Sequence, residues 1–197
     1  KGSQGRDTER NSHPLHDTRS IAGIQEESRW HIQRDRVRGA TKGLTRTPIG
    51  VTMEISYRKA KPAETDAIRS LLEKSELPTE SLGRNTTEFF VAESSNKLLG
   101  IAGFEFYGDD ALLRSVAIQP ELQSKRIGSQ LVDWMISLAQ ERGIRKIVLL
   151  TETAQKFFER KGFTVVDRSS IVNQAMKDSS EFTGACPISA VSMKLDI

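Results

Sequence analysis

The spacing of apolar positions changes several times along the chain, and each change predicts an element. Residues 53–58, "MEISYR", alternate and predict a strand, after which Pro62 opens "PAETDAIRSLLEKSE" as a helix with Ile68, Leu71 and Leu72 on one face and Pro78 as its stop. "LPTESLGRNT" reads as a loop or a short helical turn. "TEFFVAES" and "LLGIAGFEFYG" predict a hairpin turning at 95–97, and "GDD" at 108–110 makes the next turn. "ALLRSVAI" is nearly all apolar, as a central strand buried on both faces should be.

Helix 127–142 carries Ile127, Leu131, Trp134, Met135 and Leu138 as one stripe, with Gly143 placed to end it. "IRKIVLL" predicts a strand, "TAQKFFERKG" a short helix capped by Thr153 and closed by Gly162, and "FTVVD" a strand. After a stretch without periodicity, "PISAVSMKL" predicts the last strand. Hairpin strands come first and a strand, helix, strand unit comes late. The expected class is therefore α+β in three layers: a mixed, mostly antiparallel sheet with helices on both faces.

Composition divides the chain. Of its 197 residues, the first 52 hold ten Lys or Arg against six Asp or Glu, and all three histidines, His13, His16 and His31. They show no sustained period, and such a composition buries too little surface to offset chain entropy. Residues 1–52 are expected to be a disordered leader or a non-native extension, with a regulatory tail as the alternative, and residues 53–197 to be the folded domain. That domain has nineteen basic and twenty acidic residues, so the formal charge of +3 splits into +4 in the leader and −1 in the domain, which offers no basic face for nucleic acid. No run approaches the ~18 apolar residues of a membrane span. The single cysteine, Cys186, excludes an internal disulfide and suits a reducing cytoplasm. Oligomeric state stays open, a homodimer included.

"QPELQSKRIGSQLVDWM", residues 119–135, sets a proline-led turn, Lys125, Arg126 and Gly128 directly ahead of the apolar stripe. A helix start carries partial positive charge and unpartnered amides, so added cations imply an anion there. The bland alternative is an ordinary turn that holds nothing. The phosphate loop of nucleotide hydrolases and the three-glycine dinucleotide fingerprint are both absent.

This window resembles the acetyl-CoA signature of the GNAT superfamily of acetyltransferases: Gln or Arg, two residues, Gly, one residue, Gly or Ala. Gln123 and Gly128 hold the outer positions, while Arg126 replaces the inner glycine, a change compatible with diphosphate binding if its φ is negative. "TAQKFFERKGF" resembles the second signature, and "YGDDALLRSVAI", "LLTETAQKFFERKGF" and "CPISAVSMK" look like the bacterial arsenic-resistance N-acetyltransferases, relatives of amino-acid N-acetyltransferases. The resemblance implies acetyl-CoA as co-substrate and no metal. It implies that main-chain groups of Val116 and Ile118 pair with the pantetheine arm. Amides of Gln123, Ser124, Lys125, Arg126, Ile127, Gly128 and Ser129 would hold the diphosphate, and Phe157 and Phe158 would line the cofactor.

Acetyl transfer needs a neutral amine and a leaving thiolate. The tyrosine that protonates the thiolate in many members is Phe158 here, leaving Thr151 or Thr153 to hydrogen-bond the sulfur, unless Thr153 is only a cap. With no histidine after residue 52, the base is a carboxylate or ordered water; Glu105, in an otherwise apolar strand, is the candidate base or water-holder, or else an exposed-face residue. Arg114, in "LLRSVAI", either pairs with Glu105 or another acid or clamps a substrate carboxylate, with Tyr107 lining that pocket. Cys186 reads as a packed thiol. The expected acceptor is a small carboxylate-bearing amine, an amino acid or an amino-acid-like arsenical. A protein or peptide amine and a non-catalytic acyl-CoA-binding module are the competing readings.

Overall fold

The computed structural model of the protein describes residues 41–46 and 52–197. The strands are β1 (Thr41–Arg46), β2 (Thr52–Lys59), β3 (Thr87–Ser94), β4 (Lys97–Tyr107), β5 (Asp110–Ile118), β6 (Lys146–Thr151), β7 (Thr164–Val165) and β8 (Val191–Asp196). The helices are α1 (Thr65–Lys74), α2 (Ile127–Glu141), α3 (Gln155–Glu159) and α4 (Gln174–Lys177). The sheet runs β1-β2-β3-β4-β5-β6-β8-β7, and every pairing is antiparallel except β5 with β6. This is the mixed, mostly antiparallel sheet that the sequence predicts. Most of the expected leader lies outside the described residues; its segment Thr41–Arg46 pairs with β2, Thr41 opposite Tyr57 and Arg46 opposite Thr52.

Alternation along the strands builds two different faces. One carries Phe90, Ala92, Ala102, Phe104, Ala111, Leu113, Ile147, Leu149 and Met193, and α2 covers it with Ile127, Leu131, Val132, Met135, Leu138 and Ala139. Trp134 is half-buried and stacks on Tyr57 with ring centroids 5.7 Å apart. On the opposite face Ile68, Leu71 and Leu72 of α1 cover Val91, Ile101 and Ala117, while Ile171 and Met176 cover Leu112 and Val148. Burying a Leu or Ile side chain contributes roughly 1.5–3 kcal/mol, so these layers hold the domain together.

Several boundaries differ from expectation for local reasons. The first helix ends at Lys74, ahead of Pro78, because Glu76 turns to φ 54 and Leu77 N–H closes back on Leu72 O at 2.9 Å. The strand expected at 163–167 shrinks to Thr164–Val165, at the sheet edge, because Phe163 turns into the core. The last strand starts at Val191 because Pro187–Ala190 form a turn, Ala190 N–H donating to Pro187 O. The aperiodic stretch becomes a 3-10 turn, α4 and a π turn at Glu181–Ala185.

Candidate active site

The parallel pair β5 and β6 stays in register only from Asp110 opposite Lys146 to Leu112 opposite Val148. β5 continues to Ile118 and β6 to Thr151, so the two strands part and leave a cleft at the centre of the sheet. On its other side β5 remains paired with β4, from Arg114 opposite Gly103 to Ile118 opposite Gly100. A bulge at Ser115, φ 55, interrupts this register. Beyond it Gln119 N–H donates to Leu99 O at 2.9 Å, towards β4. Main-chain direction alternates along a strand, so Ala117 shares that direction and the N–H and C=O groups of Val116 and Ile118 face the cleft.

The chain then turns through Pro120–Leu122 into α2. Gln123, Ser124, Lys125 and Arg126 are all exposed at this turn. Ser124 (φ 66) and Arg126 (φ 64) both adopt the left-handed conformation. The condition of a negative φ at Arg126 is therefore not met: arginine carries here a conformation that costs an L-residue roughly 1–2 kcal/mol and that glycine adopts freely. No side chain caps α2, and among the described residues nothing accepts from the amides of Ile127, Gly128 and Ser129. Three donors and the positive end of a fifteen-residue helix thus stand beside two exposed cations. Glycine at 128 keeps this approach open, because a Cβ there would lie 3.2 Å from Ile118 Cγ1.

Across the cleft, Thr151 at the end of β6 accepts from Ala154 N–H at 3.0 Å. Thr151 thus closes the turn ahead of the short helix α3, which no side chain caps, and Thr153, expected as its cap, is exposed. Phe158 is 6% exposed and packs edge-on against Phe157 and Phe163, with centroids 5.0 and 5.5 Å away. The position where a tyrosine would serve as acid is here part of the core. Phe157 is half-buried beside it.

On the sheet face opposite α2, Arg114, Glu105, Tyr107 and Thr87 come together. The Arg114 side chain is 1% exposed and that of Glu105 4%, with Nη1 2.5 Å from Oε1. Thr87 Oγ1 donates to the same oxygen at 2.8 Å and Tyr107 OH donates to Oε2 at 2.5 Å. Burial opposes ionisation of Glu105, but these hydrogen bonds and the Arg114 charge outweigh it and hold the carboxyl below its ordinary value. Expected as a base or water-holder, Glu105 is instead a fully engaged, weakly basic anion. Tyr107, expected to line a pocket, spends its hydroxyl on that anion; burial and this bond push its pKa well up.

Arg114 has a second carboxylate as well. Glu181 Oε1 lies 2.6 Å from Nη2, Ser180 Oγ accepts from Nη1 at 3.1 Å, and Cys186 Sγ–H donates to Glu181 Oε2 at 2.6 Å. Burial and the Glu181 charge push the Cys186 thiol up to about 12, so it stays protonated. Sequence reasoning missed Ser180 and Glu181 because they sit in a segment with no period to place them on a face.

Among the described residues no group of three or more His, Cys, Asp or Glu could hold a metal ion, and no helix is long and apolar enough to cross a membrane. Residues 85–165 match the family described as an acetyltransferase (GNAT) domain. An uncharacterized N-acetyltransferase of Chlorobaculum tepidum is 27% identical over 55% of this chain and 67% of its own length. An amino-acid acetyltransferase of Mycobacterium tuberculosis is 24% identical over 61% of this chain and 75% of its own length. The N-acetylglutamate synthase of Neisseria gonorrhoeae, solved with coenzyme A and N-acetyl-glutamate, superposes with a TM-score of 0.62 at 19% identity, over 72% of this chain and 35% of that one. A Mycobacterium tuberculosis protein solved with CoA superposes with a TM-score of 0.59 at 22% identity, over 72% of this chain and 98% of that one. The parted strands, the uncapped helix and these likenesses agree: residues 85–165 match a GNAT acetyltransferase domain, the relatives bear N-acetyltransferase and amino-acid acetyltransferase names, and the fold is that of the solved neighbours.

Proposed function

We propose that the protein transfers the acetyl group of acetyl-CoA to the amine of a small carboxylate-bearing acceptor, an amino acid or an amino-acid-like arsenical, in the cytoplasm. One observation carries the reading: the cleft between β5 and β6 presents the main chain of Val116 and Ile118 along its length and the free amides of α2 at its mouth. An extended arm can add to the β5 edge as a strand would, and a diphosphate can take the amides of Ile127, Gly128 and Ser129 with Lys125 and Arg126 beside it.

Acetyl-CoA supplies an activated acyl group on a thiol that leaves readily near neutral pH. Transfer is direct: the amine nitrogen bonds to the thioester carbon, the C–S bond breaks, and the amine gives its surplus proton to water. Cys186, protonated and bonded to Glu181, is no acyl carrier. Among the described residues there is no histidine to act as a base, which favours an α-amine, of pKa ~7.7–8.0 and about a tenth neutral at pH 7, over a lysine amine near 10.4, neutral only about once in 2,500 molecules. The amino-acid acetyltransferases among the relatives support the same acceptor class.

Thiol release from acetyl-CoA across a panel of amino acids, an arsenical amino-acid analogue, a peptide and simple amines tests the proposal. Release stimulated most by the carboxylate-bearing compounds is expected. Stimulation by the peptide alone would make it a peptide acetyltransferase, and cofactor binding without any amine-dependent release would make it a binding module.

A further inference from the structure

We propose that Glu181 determines acceptor specificity: its carboxylate holds the place on Arg114 that a substrate carboxylate takes, and the acceptor competes with it for that place. The inference rests on the carboxylate-bearing acceptor class proposed above. An arginine binds a carboxylate best through two parallel N–H donors. Nη1 of Arg114 is committed to Glu105 and Ser180. Nε and Nη2, the remaining pair, are buried and complete no hydrogen bond, although Glu181 Oε1 stands 2.6 Å from Nη2. Glu181 therefore meets the fork at Nη2 alone, off the line of a hydrogen bond, and leaves Nε without an acceptor, so an incoming carboxylate that engages both donors gains what Glu181 leaves unmade.

The charges allow the exchange. Two carboxylates surround one guanidinium, so replacing Glu181 by a substrate carboxylate keeps the ionic count around Arg114 unchanged. The mechanics allow it as well. Glu181 rides on the π turn Glu181–Ala185, an irregular geometry often found at functional sites. The preceding stretch is anchored separately, by Asn173 Nδ2 donating to Tyr107 O at 3.0 Å and by Met176 in the core. Releasing Arg114 from Glu181 thus loosens the turn and leaves its base in place. Glu181 also holds the thiol of Cys186, the single cysteine of the chain, which makes that thiol a reporter of where the Glu181 carboxylate is.

The test compares wild type with Glu181→Gln, both loaded with coenzyme A. Binding of each of the twenty L-amino acids, and of the amine left when its carboxylate is removed, is measured by calorimetry. In the variant, the preference for the amino acid over its amine should rise roughly tenfold, as expected if Glu181 vacates Arg114 in about a tenth of wild-type molecules. In wild type, the bound amino acid should also speed alkylation of Cys186 by iodoacetamide, and the amine should not. An unchanged preference, a shift towards the amine, or no amino-acid binding to either protein would overturn the proposal, as would an alkylation rate indifferent to the carboxylate. Thiol release is measured separately: absent turnover with a shifted preference sinks the transferase reading and leaves the gate standing. Turnover of amino acids with an unshifted preference does the reverse.

Discussion

β5 does two different jobs on either side of Ser115. Beyond the bulge, at Val116 and Ile118, the site is made of main-chain groups continued by the amides of α2. Before it, the site is made of side chains: the charges of Arg114, of Glu105 on β4 and of Glu181 in the turn after α4, with the Thr87 hydroxyl from β3. A backbone site tolerates a change of side chain as long as the main chain keeps its course, which is how Arg126 can stand where the related pattern has glycine. A charged, buried side-chain site has no such tolerance, since removing one member leaves the others uncompensated.

The widest separation between the two regions should appear in Arg114→Ala. It strands Glu105 and Glu181 without their cation and is expected to destabilise the domain by about 3–5 kcal/mol in urea unfolding. Next comes Gly100→Ala, on the backbone side. A Cβ there would lie 2.3 Å from Ile118 Cδ1 and 2.9 Å from Ala117 O, displacing the strand that borders the cleft. We expect a loss of about 1–3 kcal/mol together with weakened acetyl-CoA binding.

Acid sensitivity sharpens the contrast further. Glu105 has a depressed folded-state pKa, so its contribution to stability is fully present above its unfolded value, near 4.3, and is lost as pH falls through the folded one. Glu105→Gln should flatten the fall in stability below about pH 4.5, while substitutions at the α2 start leave that limb unchanged. Gly128→Ala gains helix propensity of up to ~1 kcal/mol but crowds Ile118 Cγ1 at 3.2 Å. Stability should hardly move while KM for acetyl-CoA rises severalfold, and Ile118→Ala, which removes Cγ1, should restore part of it. The smallest effect belongs to Arg126→Gly. Relief of the left-handed φ is largely offset by glycine's greater freedom in the unfolded chain, for a net change within about 1 kcal/mol. The lost charge should appear as a weaker salt dependence of KM for acetyl-CoA.

The backbone region was legible because a local pattern writes it: a nearly all-apolar strand, a proline turn, two cations and a stripe starting at Ile127. The side-chain region was only half legible. Arg114 and Glu105 announce themselves as charges inside apolar strands, so their pairing was one of the two readings on offer. Glu181 reaches Arg114 from 67 positions further along the chain, as the residue numbers show, and no periodicity near it predicts which way it points. Thr151 is expected from the sequence at the thioester sulfur, but its bond to Ala154 N–H in the turn ahead of α3 depends on where β6 ends, and strand ends are set by tertiary pairing.

The central claim, that free amides at the start of α2 take the diphosphate of coenzyme A, is tested most directly by backbone NMR. Titration with coenzyme A should shift the amides of Ile127, Gly128 and Ser129 saturably, and titration with pantetheine, which lacks the diphosphate, should leave them in place. Equal shifts with both ligands, or none at these three amides with coenzyme A, would contradict it.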